Sequence, residues 1–492
     1  MVAPLAGLRV LDLSEGIAGP FCAKLLGDLG ADVVKVEPAG GDRARFLGPF
    51  PGNRADPERS AAFLFLNTSK RGMTLDLSNH DDLAQLRRLV RRYDVVVAGE
   101  PEPQIAARGV GFAQLCEWNP RVILTTVTGF GSNGPRADYG WSHLIACAVG
   151  GWARTCGLPE REPLQAGGAI TETLTGAFAA VATLLAVQGR AAHGHGEHVD
   201  VSAQQATLAA ALFPTLRYEY GGELPVRDSS FGPGPSFILP ARDGYIGVNV
   251  LTGAQWALLC EFLGRPEMAT DPRYAGRERL RLAHEVGAIF AEAVRDREPE
   301  EIFHEGEAWR VPLGLVPSLA EIVDLPPHRE RGFFIPLEHP CAGLVAVPGV
   351  PFKSTATEPH PYRPPLLGEH NNEIRRELDA AEQHDRQSAR TAQQPAGAPL
   401  SGVRIIDLTM FFSGPLATQI AADAGADVVK VESLQRIDGW RGPVVPGGDR
   451  PWERSPHFNW VNRNKRGITL NLADTRGTAI LKRLVAGADV LI

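Results

Sequence analysis

Leu5–Glu37 reads LAGLRVLDLSEGIAGPFCAKLLGDLGADVVKVE. The apolar run Leu8–Leu13 predicts a buried strand, and the Gly19-Pro20 turn predicts the entry to a helix over Phe21–Leu29. Gly30 stops that helix and Val33–Val36 supplies a second strand. Strand, helix and strand at this spacing form a β-α-β unit, which requires a parallel sheet and a right-handed crossover. Outward from this unit the same grammar continues. A helix is expected over Asp81–Arg92, strands over Val95–Val97 and Val122–Val127, and a long apolar helix over Thr175–Val187. Strands follow at His198–Val201 and Tyr245–Val250, with helices at Ala254–Leu263, Glu285–Val294, Pro299–His304 and Leu319–Val323. The fold class is therefore α/β: a Rossmann-like large domain plus a small α+β domain around 225–330.

The opening stretch returns. Leu400–Glu432 (LSGVRIIDLTMFFSGPLATQIAADAGADVVKVE) matches Leu5–Glu37 at 16 of 33 positions. Asn67–Leu77 (NTSKRGMTLDL) matches Asn462–Leu472 (NRNKRGITLNL) at 7 of 11, with the same offset of 395 residues. A repeat this long is a duplicated domain, not a solenoid period. The first unit is expected over 1–381, its large domain comprising about 1–224 and 331–381. Residues 382–399, rich in Gln, Ala and Pro and without apolar periodicity, read as a linker. The second copy, 400–492, reaches only the counterpart of Asp94–Val97, so the chain is expected to carry a truncated second unit.

A chain of 492 residues exceeds what one core supports, so more than one domain is expected. With 44% hydrophobic and 22% charged residues it has the composition of a soluble globular protein. The net charge of −7 argues against a nucleic-acid or anionic-membrane partner. Six scattered cysteines without a C-x-x-C pair fit a reduced interior. MVAPLAGLRV lacks the basic start and apolar core of a leader, and Ala177–Val187 is too short to span a bilayer. A cytoplasmic protein is expected.

Several motifs admit two readings. Gly129–Gly134 (GFGSNG) satisfies the dinucleotide glycine pattern, but Pro135 follows where a helix should open, which disfavours it. His193, His195 and His198 with Glu197 lie in a glycine-rich turn that gives no convergent ligand geometry, so no metal is expected. Lys70-Arg71, repeated as Lys465-Arg466, is either a solvated turn before a strand or a phosphate clamp. Glu172 stands where the long apolar helix begins. It is either an ordinary dipole-stabilising acid or a carboxylate held ionised towards a cleft as a nucleophile.

Together the blocks LAGLRVLDLSEGIAGPFCAKLLGDLGADVVKVE, NTSKRGMTLDL, NPRVILTTVTGFGSNGP, GEHVDVSAQQATLAA, VPLGLVPSLAEI and PLLGEHNNEI resemble the class III CoA-transferases. The resemblance spans nearly the whole chain. It implies an interlocked dimer, which here is either a homodimer or an intramolecular pseudo-dimer with the second copy. It implies acyl-CoA and carboxylic acid substrates, with coenzyme A as substrate and no permanently bound cofactor. The implied chemistry is attack by a carboxylate on a thioester, giving a mixed anhydride and then an enzyme-bound CoA thioester. The position of the family's aspartate is held by Glu172. The implied CoA path runs along Ile17, Ala18, Asn67, Lys70, Arg71, Gly99, Thr128 and Gly129, and in the second copy along Asn462, Lys465 and Arg466. The family's Asn-Phe is replaced by Gly99-Glu100, its Asp and Gln by Ser142 and Ala146, and its glycine-rich loop is reduced to Gly232-Pro233-Gly234. These departures leave open a non-catalytic CoA-binding half. The related α-methylacyl-CoA racemases carry a Gly-His-Asp-x-Asn-Tyr signature, whose place reads Gly140-Trp141-Ser142-His143-Leu144.

Overall fold

The structure is a computed structural model and describes residues 3–492 except 159, 211–212, 223, 225–226, 228–235, 251, 277, 358, 360, 383–396 and 443–448. Gly232-Pro233-Gly234 and most of the expected linker 382–399 lie outside the described residues.

Six parallel strands form the main sheet: β1 (Arg9–Asp12), β2 (Asp32–Glu37), β3 (Lys70–Thr74), β4 (Val95–Ala98), β5 (Ile123–Thr128) and β6 (His198–Ser202). Their order is β3-β2-β1-β4-β5-β6. Consecutive residues face opposite sides of the sheet, and both sides are buried. Val34, Val96, Leu11 and Leu124 enter one core with Met73, Leu86 and Leu89. Val33, Val95, Val97 and Val10 enter the other with Cys22, Leu26 and Ala179. Burial on two faces is why these strands read as unbroken apolar runs.

Helix α1 (Ala18–Asp28) connects β1 to β2 and starts earlier than the sequence suggests. Gly19 and Pro20 lie in its first turn, where an N–H has no intrahelical acceptor and proline costs nothing. Helix α2 (His80–Val90) is capped by Asn79, whose side chain accepts from the Asp81 N–H. Helix α3 (His143–Val149) precedes the 24-residue α4 (Ile170–His193). α4 runs past Ala177–Val187 at both ends, so it is long and apolar enough to cross a membrane by length and composition, where the shorter run was expected not to be; it packs along α1. A Cβ on Gly176 would stand 2.4 Å from the Ala18 carbonyl oxygen, so only glycine permits this approach.

A third core belongs to the antiparallel sheet β7 (Ser236–Ala241), β8 (Gly244–Asn249) and β9 (Leu313–Leu315). Ile246 on its central strand packs with Trp256 and Phe290 from the helices Gly253–Phe262 and Ala283–Val294. After the hairpin β10 (Phe334–His339) and β11 (Gly343–Pro348), helix α5 (Asn371–Glu382) returns to the main sheet. It places Ile374 and Leu378 in the core beside Leu89.

The C-terminal part holds β12 (Arg404–Asp407), α6 (Ser413–Asp423), β13 (Asp427–Glu432), β14 (Arg466–Thr469), α7 (Thr475–Val485) and β15 (Val490–Leu491). Its parallel order, β14-β13-β12-β15, is that of β3-β2-β1-β4.

Candidate active site

The chain leaves β1 towards β2 on one side and fills the other side with β4, β5 and β6, so the connections diverge above β1 and β4. In sheets of this kind ligands bind in the crevice outside the carboxyl ends at that point. The turn after β1 is held there by buried charges. Ser14 donates its hydroxyl to Asp12, and the Lys35 ammonium donates to the Ser14 carbonyl. Asp42 accepts from the Gly16 N–H at 2.8 Å and pairs with Lys35 at 2.7 Å. Lys70 pairs with Asp12 at 2.8 Å. Burial would push Asp12 up, but Lys35 and Lys70 outweigh it and hold the carboxyl below the usual range.

Glu172 lies in the first turn of α4, one turn before Gly176, so the close packing of α4 on α1 sets its position. Its half-buried side chain has a pKa raised by desolvation, an effect that His143 and then Arg43 partly reverse. His143, at the start of α3, is fixed from both sides. Its Nδ1 lies 2.7 Å from Thr171 Oγ1 and its Nε2 lies 2.8 Å from the Ala166 carbonyl oxygen. Since a carbonyl only accepts, Nε2 carries the proton and, in the neutral ring, Nδ1 accepts from the threonine hydroxyl. Thr171 thus anchors the imidazole beside the residue that follows it.

The expected CoA-path residues separate into two groups. Ile17 caps α1 without a side-chain hydrogen bond, and Ala18 opens the helix. Gly99 faces the turn after β1, its absent Cβ 3.6 Å from the Glu15 nitrogen. Gly129 is covered by Trp141, 2.5 Å from where its Cβ would stand. Thr128 is buried, and its hydroxyl accepts from the Gly131 N–H at 2.9 Å, which folds the loop after β5. These five lie at or just beyond the carboxyl ends of β1, β4 and β5.

Asn67, Lys70 and Arg71 do not form a clamp. Lys70 and Arg71 begin β3 instead of preceding it, so they point to opposite faces. The fully buried Lys70 ammonium has three partners: Asp12, the Pro20 carbonyl at 2.9 Å and Asn67 Oδ1 at 2.9 Å. Burial pushes its pKa down to about 8. Arg71 pairs with Asp32 at 2.9 Å and with Glu377 of α5 at 2.9 Å. The second copy repeats this: Lys465 bonds Asp407 at 3.0 Å and Asn462 at 2.9 Å, and Arg466 pairs with Asp427 at 2.7 Å.

Sequence reasoning overlooked Asp12, Lys35, Asp42, Arg43 and the role of His143. The available signal was a lysine inside an apolar strand in both copies of DVVKVE. Among the described residues no cluster of three His, Cys, Asp or Glu side chains is placed to hold a metal.

This arrangement can be set beside known proteins. The model of CoA-transferase family III matches residues 5–371 and 400–492. A succinate–glutarate CoA-transferase of Agrobacterium fabrum is 32% identical over 389 residues, covering 77% of this chain and 96% of the relative. A succinyl-CoA:mesaconate CoA-transferase of Haloarcula hispanica is 34% identical, covering 75% and 95%. The crystal structure of a CAIB/BAIF family protein from Brucella suis superposes with a TM-score of 0.69 at 29% identity, covering 77% of this chain and all of that one. With two ordered matches to one family model and relatives above 30% identity over three quarters of its length, the chain is a CoA-transferase and belongs to CoA-transferase family III.

Proposed function

We propose that the first unit moves coenzyme A from a dicarboxylic acyl-CoA to a second carboxylic acid, with Glu172 as the nucleophile. The observation that carries this reading is the position of Glu172 at the head of α4, beside the turn after β1, with His143 and Arg43 favouring its charged form. The substrates for which the relatives are named, succinate, glutarate and mesaconate, support dicarboxylic acids. The carboxylate oxygen attacks the thioester carbonyl, the C–S bond breaks, and CoA thiolate leaves with a mixed anhydride behind it. Thiolate then attacks the Glu172 carbonyl, releasing the donor acid and leaving CoA on the enzyme. The acceptor carboxylate takes the Glu172 acyl group and frees the thiolate, which attacks the acceptor's carbonyl and restores Glu172. A carboxylate is a weak nucleophile, so the binding energy of the nucleotide end must hold the thioester in reach.

The second copy serves in this reading as the pseudo-dimer partner. In support, Leu416 and Ile420 of α6 share a groove with Phe178 and Leu185 of α4. A racemase-like reading needs a histidine free to exchange a proton, whereas both His143 nitrogens are engaged. The deciding experiment treats the protein with acyl-CoA and then hydroxylamine or borohydride, and maps modified peptides by mass spectrometry. Modification of Glu172, absent in Glu172→Gln, is the expected result. A clean Glu172 peptide with CoA still bound would instead make this unit a binding half.

A further inference from the structure

Arg43 and Arg45 are two residues apart and differ completely in their partners. Arg45 is buried, paired with Glu37 and Glu58 at 2.7 Å and laid over the Phe63 ring. Arg43 is exposed, and among the described residues no carboxylate pairs with it. Among the described residues its one side-chain hydrogen bond is a long 3.4 Å contact to the Glu15 carbonyl. Its backbone is nevertheless fixed, because Asp42 before it caps the short turn Arg43–Phe46 and belongs to the buried charge network. The guanidinium lies across the turn after β1, with Nε 2.6 Å from where a Cβ on Gly16 would be.

The second copy fills the same space differently. Asp438 again caps the turn, but Gly439 follows it, and Phe411 replaces Gly16. The Phe411 ring lies 2.6 Å from where a Gly439 Cβ would stand. One crevice therefore presents a cation and the other an aromatic ring, on equivalent backbones.

We propose that Arg43 holds the second, non-reacting carboxylate of the acyl group, and so makes the first unit select dicarboxylic over monocarboxylic acyl groups of equal length. The inference rests on the reading of Glu172 given above. A thioester carbonyl in reach of Glu172 puts the acyl chain over this turn and the CoA phosphates a pantetheine arm away. A guanidinium covered by an apolar acyl chain would lose water without gaining a partner, whereas a carboxylate offers its planar fork two oxygens.

The test is equilibrium binding of succinyl-CoA and butyryl-CoA, which differ by carboxylate against methyl, measured by calorimetry on the full chain carrying Glu172→Gln, so that no acyl transfer follows binding. With Arg43 in place this chain is expected to prefer succinyl-CoA by about ten- to a hundredfold, as one charge-assisted contact allows. Arg43→Gln should bring the ratio near one, and Arg43→Lys should keep part of it. Arg43→Gly serves as a second variant, since the second copy carries glycine there on the same turn. Equal losses for both esters would overturn the proposal in favour of a phosphate or oxyanion contact. An unchanged ratio, no discrimination with Arg43 in place, or no binding of either ester would overturn it as well. Because Glu172→Gln takes the chemistry out of the readout, a missing Glu172 adduct in the unsubstituted protein would sink the nucleophile and leave this test decisive.

Discussion

Glu172 must be ionised to attack, and burial opposes ionisation. Its pKa therefore stands above the ordinary glutamate value, and adduct formation should fall on the acid side at a higher pH than an exposed carboxylate would give. His143 and Arg43 both favour the anion. His143→Gln or Arg43→Gln should move that acid limb further up in pH, as measured by the pH profile of hydroxylamine-trappable modification. A limb that stays in place or moves down would show that neither residue acts on the carboxylate. The place of Glu172 at the head of an apolar helix was legible in the sequence, while its reading as a nucleophile came from the resemblance, the residues alone leaving a dipole-stabilising acid equally open. His143 and Arg43 were not, since each arrives from a separate loop and nothing in its local pattern points to the crevice.

At the scale of elements, the meeting of α4 with α1 and the turn after β1 carry the site. Gly176→Ala would drive a Cβ into the Ala18 carbonyl, costing about 1–3 kcal/mol and displacing the head of α4. Modification of Glu172 should then fall by more than the loss of stability explains, which comparing kcat with the unfolding midpoint would reveal. Asp12→Asn leaves Lys35 and Lys70 short of charge in the interior and should cost about 3–5 kcal/mol in denaturant unfolding. The wild-type contribution has a pH window. Asp12 and Asp407 sit below the usual carboxylate pKa, so their stabilisation is complete near neutrality and is lost as acid protonates them. Asp12→Asn should flatten that acid dependence. Strand positions such as Asp32–Glu37 were readable from the apolar run alone, but the facing of Lys35 was not. When both faces are buried, alternation no longer separates inside from outside, and a lysine in the run reads as exposed. For Lys70 and Arg71 a strand start displaced by a few residues was enough to turn a clamp into a core ion pair and a helix anchor.

Across the whole molecule, α5 closes the first sheet. Arg71 reaches Glu373 and Glu377, Arg88 reaches Asp379, and Ile374 and Leu378 enter the core. Ile374→Ala or Leu378→Ala should each cost about 2–5 kcal/mol, read by denaturant unfolding of the full chain, whereas exposed Glu373→Ala should stay within about 1 kcal/mol. A buried substitution that costs nothing would mean that α5 is dispensable. The closure of a sheet near residue 90 by a helix near residue 375 was beyond local sequence patterns, because long-range pairing leaves no periodic trace. The repeat itself was plain, since one whole strand, DVVKVE, recurs letter for letter at the same offset as its neighbours.

That recurrence has a kinetic side. β2 and β13 are the same hexapeptide, DVVKVE, each the second strand of a parallel sheet in the same order. A refolding chain cannot tell them apart by sequence, and parallel pairing over long separations is slow enough for the wrong copy to arrive first. The flanking residues must supply the memory of which copy belongs where. Substitutions that make one hexapeptide unlike the other, without changing its buried volume, should raise the yield of native protein recovered from denaturant while leaving the native state untouched.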